Sequence, residues 1–312
     1  MKTIHNKTSS ALISLLAIMF FSSAAAVANP IELTVHHSPG GPSDTVTRFI
    51  AKNLSSDYIV QNRPGAQGRI AVRQLLKGNS VLTATVPQIY VTNPLNFNDL
   101  EYNPEKDLEI LATVATMPNL LACRSSLGFK TVDDFLKYEG RALSFAINGY
   151  GSAEHIATES LFTKTKTTHT VIPYATGGNK GTIDVIGGSV DCIFANLASI
   201  KPFLNDSRID VLLSSHDMGI SGVTTWDKRF KESFPYQSYI CLVVAKSMSD
   251  DHKKKIINDL NKVFAANSFK ESLFRMGLLP IGSTELWMTN SVLKSNRSLE
   301  RFIVNNRLNI SQ

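Results

Sequence analysis

Twice along this chain an apolar strand breaks at a glycine-rich turn and passes straight into a helix. The first case runs from Ile31-Glu32-Leu33-Thr34-Val35-His36 through Ser38-Pro39-Gly40-Gly41-Pro42. Pro42, Ser43 and Asp44 mark the start of its helix, and Val46, Phe49, Ile50 and Leu54 form the apolar stripe. The second runs from Leu143 to Ile147 through Asn148-Gly149-Tyr150-Gly151-Ser152 into a helix carrying Ile156, Ala157, Leu161 and Phe162. Further elements follow each break. After the first come Tyr58 to Val60, Ile70 to Leu76 and Val81 to Val86; after the second come His169 to Ile172, a helix around Ile183 and Ile186, and Val190 to Phe194. Strand, helix, strand, helix, strand is the order of an α/β unit with a mostly parallel sheet, because each return to the sheet needs a crossover.

Two such units predict two α/β lobes. About 280 residues remain once an N-terminal leader is set aside, and at that length a single core tends to split. The apolar run Leu108 to Cys123, interrupted at Pro118, is long enough to cross from one lobe to the other; one crossing is expected near Leu111 to Pro118 and a second near Pro235 to Tyr239. The expected division is a leader over 1–28, a first lobe of 29–112 plus 235–312 that includes the C-terminal helices, and a second lobe of 113–234.

The leader is legible as an export signal. Lys2 and Lys7 precede an uncharged apolar stretch from Ala11 to about Ala28, which closes with Ala26-Val27-Ala28 before the polar Asn29-Pro30. A charged n-region, an apolar h-region and a small-x-small cleavage pattern predict a mature chain that begins at Asn29 in the periplasm. No later segment offers ~18 unbroken apolar residues. Loss of Lys2 and Lys7 lowers the formal net charge from +6 to +4, spread along the chain apart from Lys253-Lys254-Lys255. That distribution argues against a nucleic-acid partner. Cys123, Cys192 and Cys241 each sit in apolar, strand-like runs and read as small buried hydrophobes. An oxidising compartment permits one disulfide, but the spacings do not choose a pair and match no metal site.

Both glycine turns present backbone N–H groups and the positive end of a helix dipole, with no Cβ to block close approach. A carboxylate fits either. Taken singly, each is also explained as a tight helix start capped by Ser43 or Asp44, or by Ser152. Ser152 and His155 would be the pair of a hydrolase, yet the chain has no Gly-x-Ser-x-Gly elbow. Gly149-x-Gly151 lacks the third glycine of a dinucleotide fingerprint, since position 154 is Glu. His36 and His37 alternate faces on a strand, which does not suit one shared metal. No catalytic residue, cofactor or metal is expected.

Further motifs link the turns: Asn62-Arg63-Pro64-Gly65-Ala66 with Gly68, Asn93-Pro94, Tyr102-Asn103-Pro104-Glu105-Lys106-Asp107, Pro173-Tyr174, Gly187-Gly188-Ser189-Val190-Asp191 and Asn196-Leu197-Ala198-Ser199. In this order, and over nearly the whole mature chain, the sequence resembles the substrate-binding proteins of tripartite tricarboxylate transporters, the Bug family. The resemblance implies a two-lobed Venus-flytrap periplasmic binding protein fold with its ligand cleft between the lobes. By position, Gly40, Gly41, Pro42, Ser43 and Asp44 would form the first contact loop, and Gly149, Gly151, Ser152 and His155 the second. Tyr174, the loop after it and Asn196 would line the remaining wall. The implied function is capture of a di- or tricarboxylate, or a related organic acid, for the membrane subunits of such a transporter. A ligand sensor feeding a sensor kinase and a periplasmic hydrolase are the alternatives. The chain departs from the family at Ala195, where an acid often stands, at Arg69, where Asn is frequent, and at His36-His37. Ala195 removes a partner for an ammonium group, which turns the expectation toward simple or hydroxylated carboxylates.

Overall fold

The computed structural model describes residues 30–54, 57–174 and 180–310. The expected export signal and the loop from Ala175 to Gly178 lie outside them. Two six-stranded sheets organise the described chain. The first contains β1 (Ile31–Val35), β2 (Tyr58–Asn62), β3 (Ser80–Thr85), β4 (Leu108–Met117), β11 (Ser238–Ala245) and β12 (Leu279–Ser283) in the order β12-β4-β11-β3-β1-β2. The second contains β5 (Asn119–Arg124), β6 (Leu143–Ile147), β7 (His169–Pro173), β8 (Cys192–Asn196), β9 (Ile209–Ser214) and β10 (Thr224–Thr225) in the order β10-β9-β5-β8-β6-β7.

The two sheets share one plan. β2-β1-β3 and β7-β6-β8 are parallel triplets. The strand beside each triplet, β11 on β3 and β5 on β8, runs antiparallel. The sheets are therefore mixed, where the sequence predicts mostly parallel ones. The strands that arrive from the other lobe are not delivered by a helical crossover, so nothing forces them into the parallel sense.

Six helices matter for the site: α1 (Pro42–Asn53), α2 (Arg69–Leu75), α3 (Ala153–Phe162), α4 (Asp250–Ala265), α5 (Asn267–Arg275) and α6 (Leu286–Asn305). On α1, Val46 and Ile50 stand four apart and bury together against Leu33 and Val81, while Arg48 stays outside. The second lobe packs Phe135, Phe145, Ile156, Leu161, Phe194 and Trp226 into one core. α4 and α5 return to the first sheet through Leu260, Val263, Phe269 and Leu273.

The change of sheet falls at the far end of the crossing expected over Leu111 to Pro118. β4 remains in the first sheet through Met117, and β5 begins at Asn119, so the boundary expected after residue 112 moves to Pro118. Proline has no N–H for the ladder, which ends the strand there. The Asn119 amide donates to Met117 O at 3.3 Å and to Ser238 Oγ at 3.1 Å, tying the two crossings together. The assignment of all of 235–312 to the first lobe also needs correction. Met288 and Val292 of α6 join the first sheet's core, but Leu299 and Ile303 join the second lobe's. A helix of 20 residues spans about 30 Å, enough to carry one apolar stripe across both.

Cys123 and Cys192 form a disulfide, where the sequence favours free buried thiols. They are register partners on β5 and β8, which brings their Cβ atoms within bonding reach. Cys241 remains a buried thiol, and burial pushes its pKa up to about 12.

Asp191, next to that disulfide, is the most heavily paired buried acid of the second lobe. It accepts from Arg124 at 2.9 Å, Arg141 at 2.6 Å and the Ser144 N–H at 2.9 Å. Burial opposes its ionisation, but the bonds from Arg141, Ser144 and Arg124 prevail and hold the carboxyl well below its ordinary 3.8. A group with a depressed folded pKa stabilises the fold above its unfolded value, and the contribution drains away as pH falls toward the folded one. Asp191→Asn should therefore cost about 2 kcal/mol at pH 7, by weakening the charge-assisted bonds from Arg124, Arg141 and the Ser144 N–H. It should also flatten the loss of stability below about pH 4, as read by urea titrations across pH.

Candidate functional site

β1 and β6 each end under a loop that opens a helix, at the carboxyl end of a parallel triplet, where open α/β sheets bind ligands. In the first loop Gly40 adopts φ +86, and a Cβ there would meet nothing within 4 Å. Gly41 is the N-cap of α1 and no side chain caps the helix. The first-turn amides, beginning at Ser43 since Pro42 has none, are thus open to an anion. Ser43 Oγ lies 3.3 Å from His37 Nδ1.

Asp44 does not face the cleft as a free acid. Its carboxylate accepts from the Gly40 N–H at 2.9 Å, from Arg48 Nε at 3.0 Å and from Asn62 Nδ2 at 2.8 Å. Burial opposes the shift, but these donors hold its pKa below the usual value. Asp44 is a brace that folds the loop. The histidines beside it stay neutral. Burial keeps His36 well below its usual range and His37 down to about 4. His36 Nε2 accepts from the Thr85 N–H at 3.0 Å, so its proton sits on Nδ1, toward Gly68.

The second loop is braced in a similar way. Gly149 and Gly151 adopt φ +113 and +72. Ser152 Oγ accepts from the His155 N–H at 3.2 Å as the cap of α3, and His155 Nδ1 accepts from the Gly151 N–H at 3.0 Å. His155 is buried, its pKa lowered by desolvation, with Nε2 3.7 Å from Glu159. Both expected contacts, Ser152 and His155, hold the loop's shape. Glu154 is buried beneath it, accepts from Asn148 at 3.0 Å and has a pKa raised by that burial. What remains open is Gly149, beside which a Cβ would meet nothing within 4 Å.

The second loop meets the first lobe directly. Gln67 Nε2 donates to Tyr150 O at 3.4 Å. A Cβ on Gly151 would lie 2.7 Å from Asn96 Nδ2 and 3.3 Å from Thr92 Cβ. Gln67, Thr92 and Asn96 are residues the sequence reading leaves without a role. Their signal is the turn-rich stretch from Asn62 to Gly68 and the Asn93-Pro94 motif, whose partners lie far away in the chain. Tyr174 and Asn196 are placed by bonds within the second lobe. Tyr174 donates its hydroxyl to Asp184 at 2.7 Å, and Asn196 Oδ1 caps the turn Leu197–Ile200 through the Ser199 N–H at 3.0 Å. A surface cavity of about 530 Å³ lies elsewhere, by Leu136–Glu139 and Thr163–Lys166 at the far end of α3 from Ser152.

Two α/β lobes joined by two strand crossings, with a glycine turn of one lobe set against the other, define a two-lobed solute-binding protein. Residues 44–303 match the tripartite tricarboxylate transporter family receptor (TctC), and the chain belongs to that family. It is 22% identical over 271 residues to protein BugT of Bordetella pertussis, covering 82% of this chain and 83% of that one. Among solved structures it is similar in fold to R. palustris Rpa4515 with adipate, at TM-score 0.80 and 24% identity, covering 92% of this chain and 100% of that one. MatC (Rpa3494) from Rhodopseudomonas palustris with bound malate follows at TM-score 0.75 and 19% identity, covering 89% and 99%.

Proposed function

We propose that this receptor is exported to the periplasm and captures a small carboxylate between its lobes. The ligand class is a di- or tricarboxylate or a related organic acid, which the protein passes unchanged to the membrane subunits of a tripartite tricarboxylate transporter. The observation that carries this reading is the start of α1 at Gly41, without a side-chain cap, just beyond the carboxyl end of β1. A carboxylate seated there gains charge-assisted hydrogen bonds and the helix dipole. The carboxylates bound by Rpa4515 and MatC are of the same chemical class. Capture without chemistry fits the state of Ser152. Its oxygen receives the His155 N–H as the cap of α3, and His155 Nδ1 is turned to the Gly151 N–H, so the two side chains do not form the hydroxyl–imidazole pair of a hydrolase. A ligand that touches both loops binds only the closed arrangement and draws the population toward it.

Thermal-shift titration with mono-, di- and tricarboxylates tests the reading. A ligand at 100 times its Kd should stabilise by ~2.7 kcal/mol, and a complete lack of response would sink it. Gly41→Val locates the seat. Gly41 has an extended backbone at φ −78, and a Cβ there meets only Ser38 O at 3.7 Å, so the variant should fold, with a loss of ~1 kcal/mol from the poorer N-cap. Its carboxylate affinity should fall at least ~30-fold, because the side chain projects where the anion approaches the helix. Unchanged affinity by calorimetry would move the ligand away from α1.

A further inference from the structure

We infer that the first lobe carries a second ligand site, away from the glycine turns, which takes a small organic anion with an apolar body. The site is a cavity of about 290 Å³ bounded by α6, the start of β4 and Tyr90, and it holds a ligand of ~10 non-hydrogen atoms. Leu108, Ile110 and Leu293, with Tyr90, form its apolar wall. The register of the first sheet sets it apart from the first contact loop. Leu108 pairs with Ala245, and β11 runs antiparallel beside β3 with Val243 opposite Leu82. Leu108 therefore lies toward the amino end of the parallel triplet, whereas the Gly40-Gly41 turn leaves β1 from the carboxyl end. The cavity rests on α6 where that helix passes between the cores. Val292 serves the first core and Leu299 the second, and Leu293 and Arg297, which line the cavity, stand between them.

The fold leaves this cavity with unused donors. Among the described residues the Arg297 guanidinium has no ion-pair partner, and the hydroxyls of Tyr90 and Thr289, also in the lining, have no hydrogen-bond partner. Burial pushes the Tyr90 phenol upward, so it stays protonated. The neighbouring charges leave a positive balance. Glu109 accepts from Lys253 at 2.7 Å, and Lys246 donates to the Glu105 carbonyl oxygen, while Glu105 itself stands at an exposed position. Arg297, Lys246 and Lys253 thus outnumber Glu105 and Glu109 by one charge. A carboxylate matches the guanidinium fork, and a cation would be repelled by it. Because Arg297 is exposed, the attraction is partly screened and the apolar wall supplies the rest of the affinity. One charge on an apolar body fits; further carboxylates would meet Leu108 and Ile110 without partners.

Calorimetry on the full mature protein tests the site with benzoate, and with benzyl alcohol and benzylamine as its neutral and cationic counterparts. Benzoate should bind with a Kd below ~1 mM and at least ~10-fold more tightly than either counterpart. Arg297→Gln, at an exposed position, should weaken benzoate by ~10-fold and leave benzyl alcohol unchanged. Leu293→Trp, which fills the cavity, should abolish binding of both, with circular dichroism checking the fold. Gly41→Val should leave this binding intact, which separates it from the carboxylate seat at α1. Benzoate binding that is lost in Gly41→Val and unmoved in Arg297→Gln places benzoate in the cleft; it overturns the inference and leaves the carboxylate reading standing. No saturable binding of benzoate overturns it as well, as does benzylamine binding equal to that of benzoate. Neither of these results bears on the thermal-shift response to di- and tricarboxylates.

Discussion

Gly151→Val is expected to reduce ligand affinity by more than ~100-fold while both lobes stay folded. The backbone at φ +72 is disfavoured for a β-branched residue, at a cost of order 1–3 kcal/mol in stability. The larger effect is steric and falls between the lobes. A Cβ would already lie 2.7 Å from Asn96 Nδ2, and the valine methyl groups extend further toward Thr92. The second loop would have to withdraw from the first lobe, carrying the Tyr150 carbonyl away from Gln67. A ligand that gains by bridging the lobes then loses half its contacts. Calorimetry together with circular dichroism separates this outcome from simple unfolding. Affinity close to that of the parent would show that lobe approach at Gly151 is irrelevant to binding.

Removing the disulfide should give the largest loss of stability. The Cys123–Cys192 bond closes a chain separation of 69 residues, and a cross-link of that order stabilises by about 4 kcal/mol through the unfolded state. For a domain of this size that corresponds to a fall in Tm of about 10 °C in the double alanine variant. Reductant should lower the parent's Tm toward the same value and leave the variant unmoved. The third thiol does not confuse the experiment, because Cys241 is buried and its raised pKa keeps it protonated. A parent whose Tm ignores reductant would argue against the bond. Its position beside Asp191, the anchor of Arg124 and Arg141, places a covalent and an ionic clasp at one end of the β5–β8 pair.

Much of the architecture is legible before any coordinates. The two glycine turns, the strands before them and the helices after them are read from local signals: alternation of apolar residues, the Pro-Gly break, and the cap at Ser152. Where the reading differs from the structure, the deciding contact lies far away in the chain. Within the crossing expected over Leu111 to Pro118 the expected lobe boundary falls after residue 112, but pairing with β11 and β12 holds β4 in the first sheet to Met117. The stripe of α6 is plain from its spacing; that its two halves serve different cores is not.

The site divides along the same line. Glycine at 40, 41, 149 and 151 announces loops that approach something closely, and the chain alone places each before a helix. Which polar groups in those loops remain free is a tertiary matter. Asp44, Ser152 and His155 carry the right chemistry to touch a ligand, yet each is engaged by neighbours that fold the loop. Gln67 and Asn96 look like ordinary turn residues and meet the second loop, at Tyr150 and Gly151, only when the second lobe is set against them. Sequence by itself determined the two α/β units and the two glycine turns, because these rest on periodicity, capping and backbone freedom within a few residues. Only the tertiary structure decided which cysteines bond, where the chain changes sheets and which hydrogen-bonding groups of the two loops are engaged by neighbours. Those depend on distances between residues tens to hundreds of positions apart, and no local pattern encodes them.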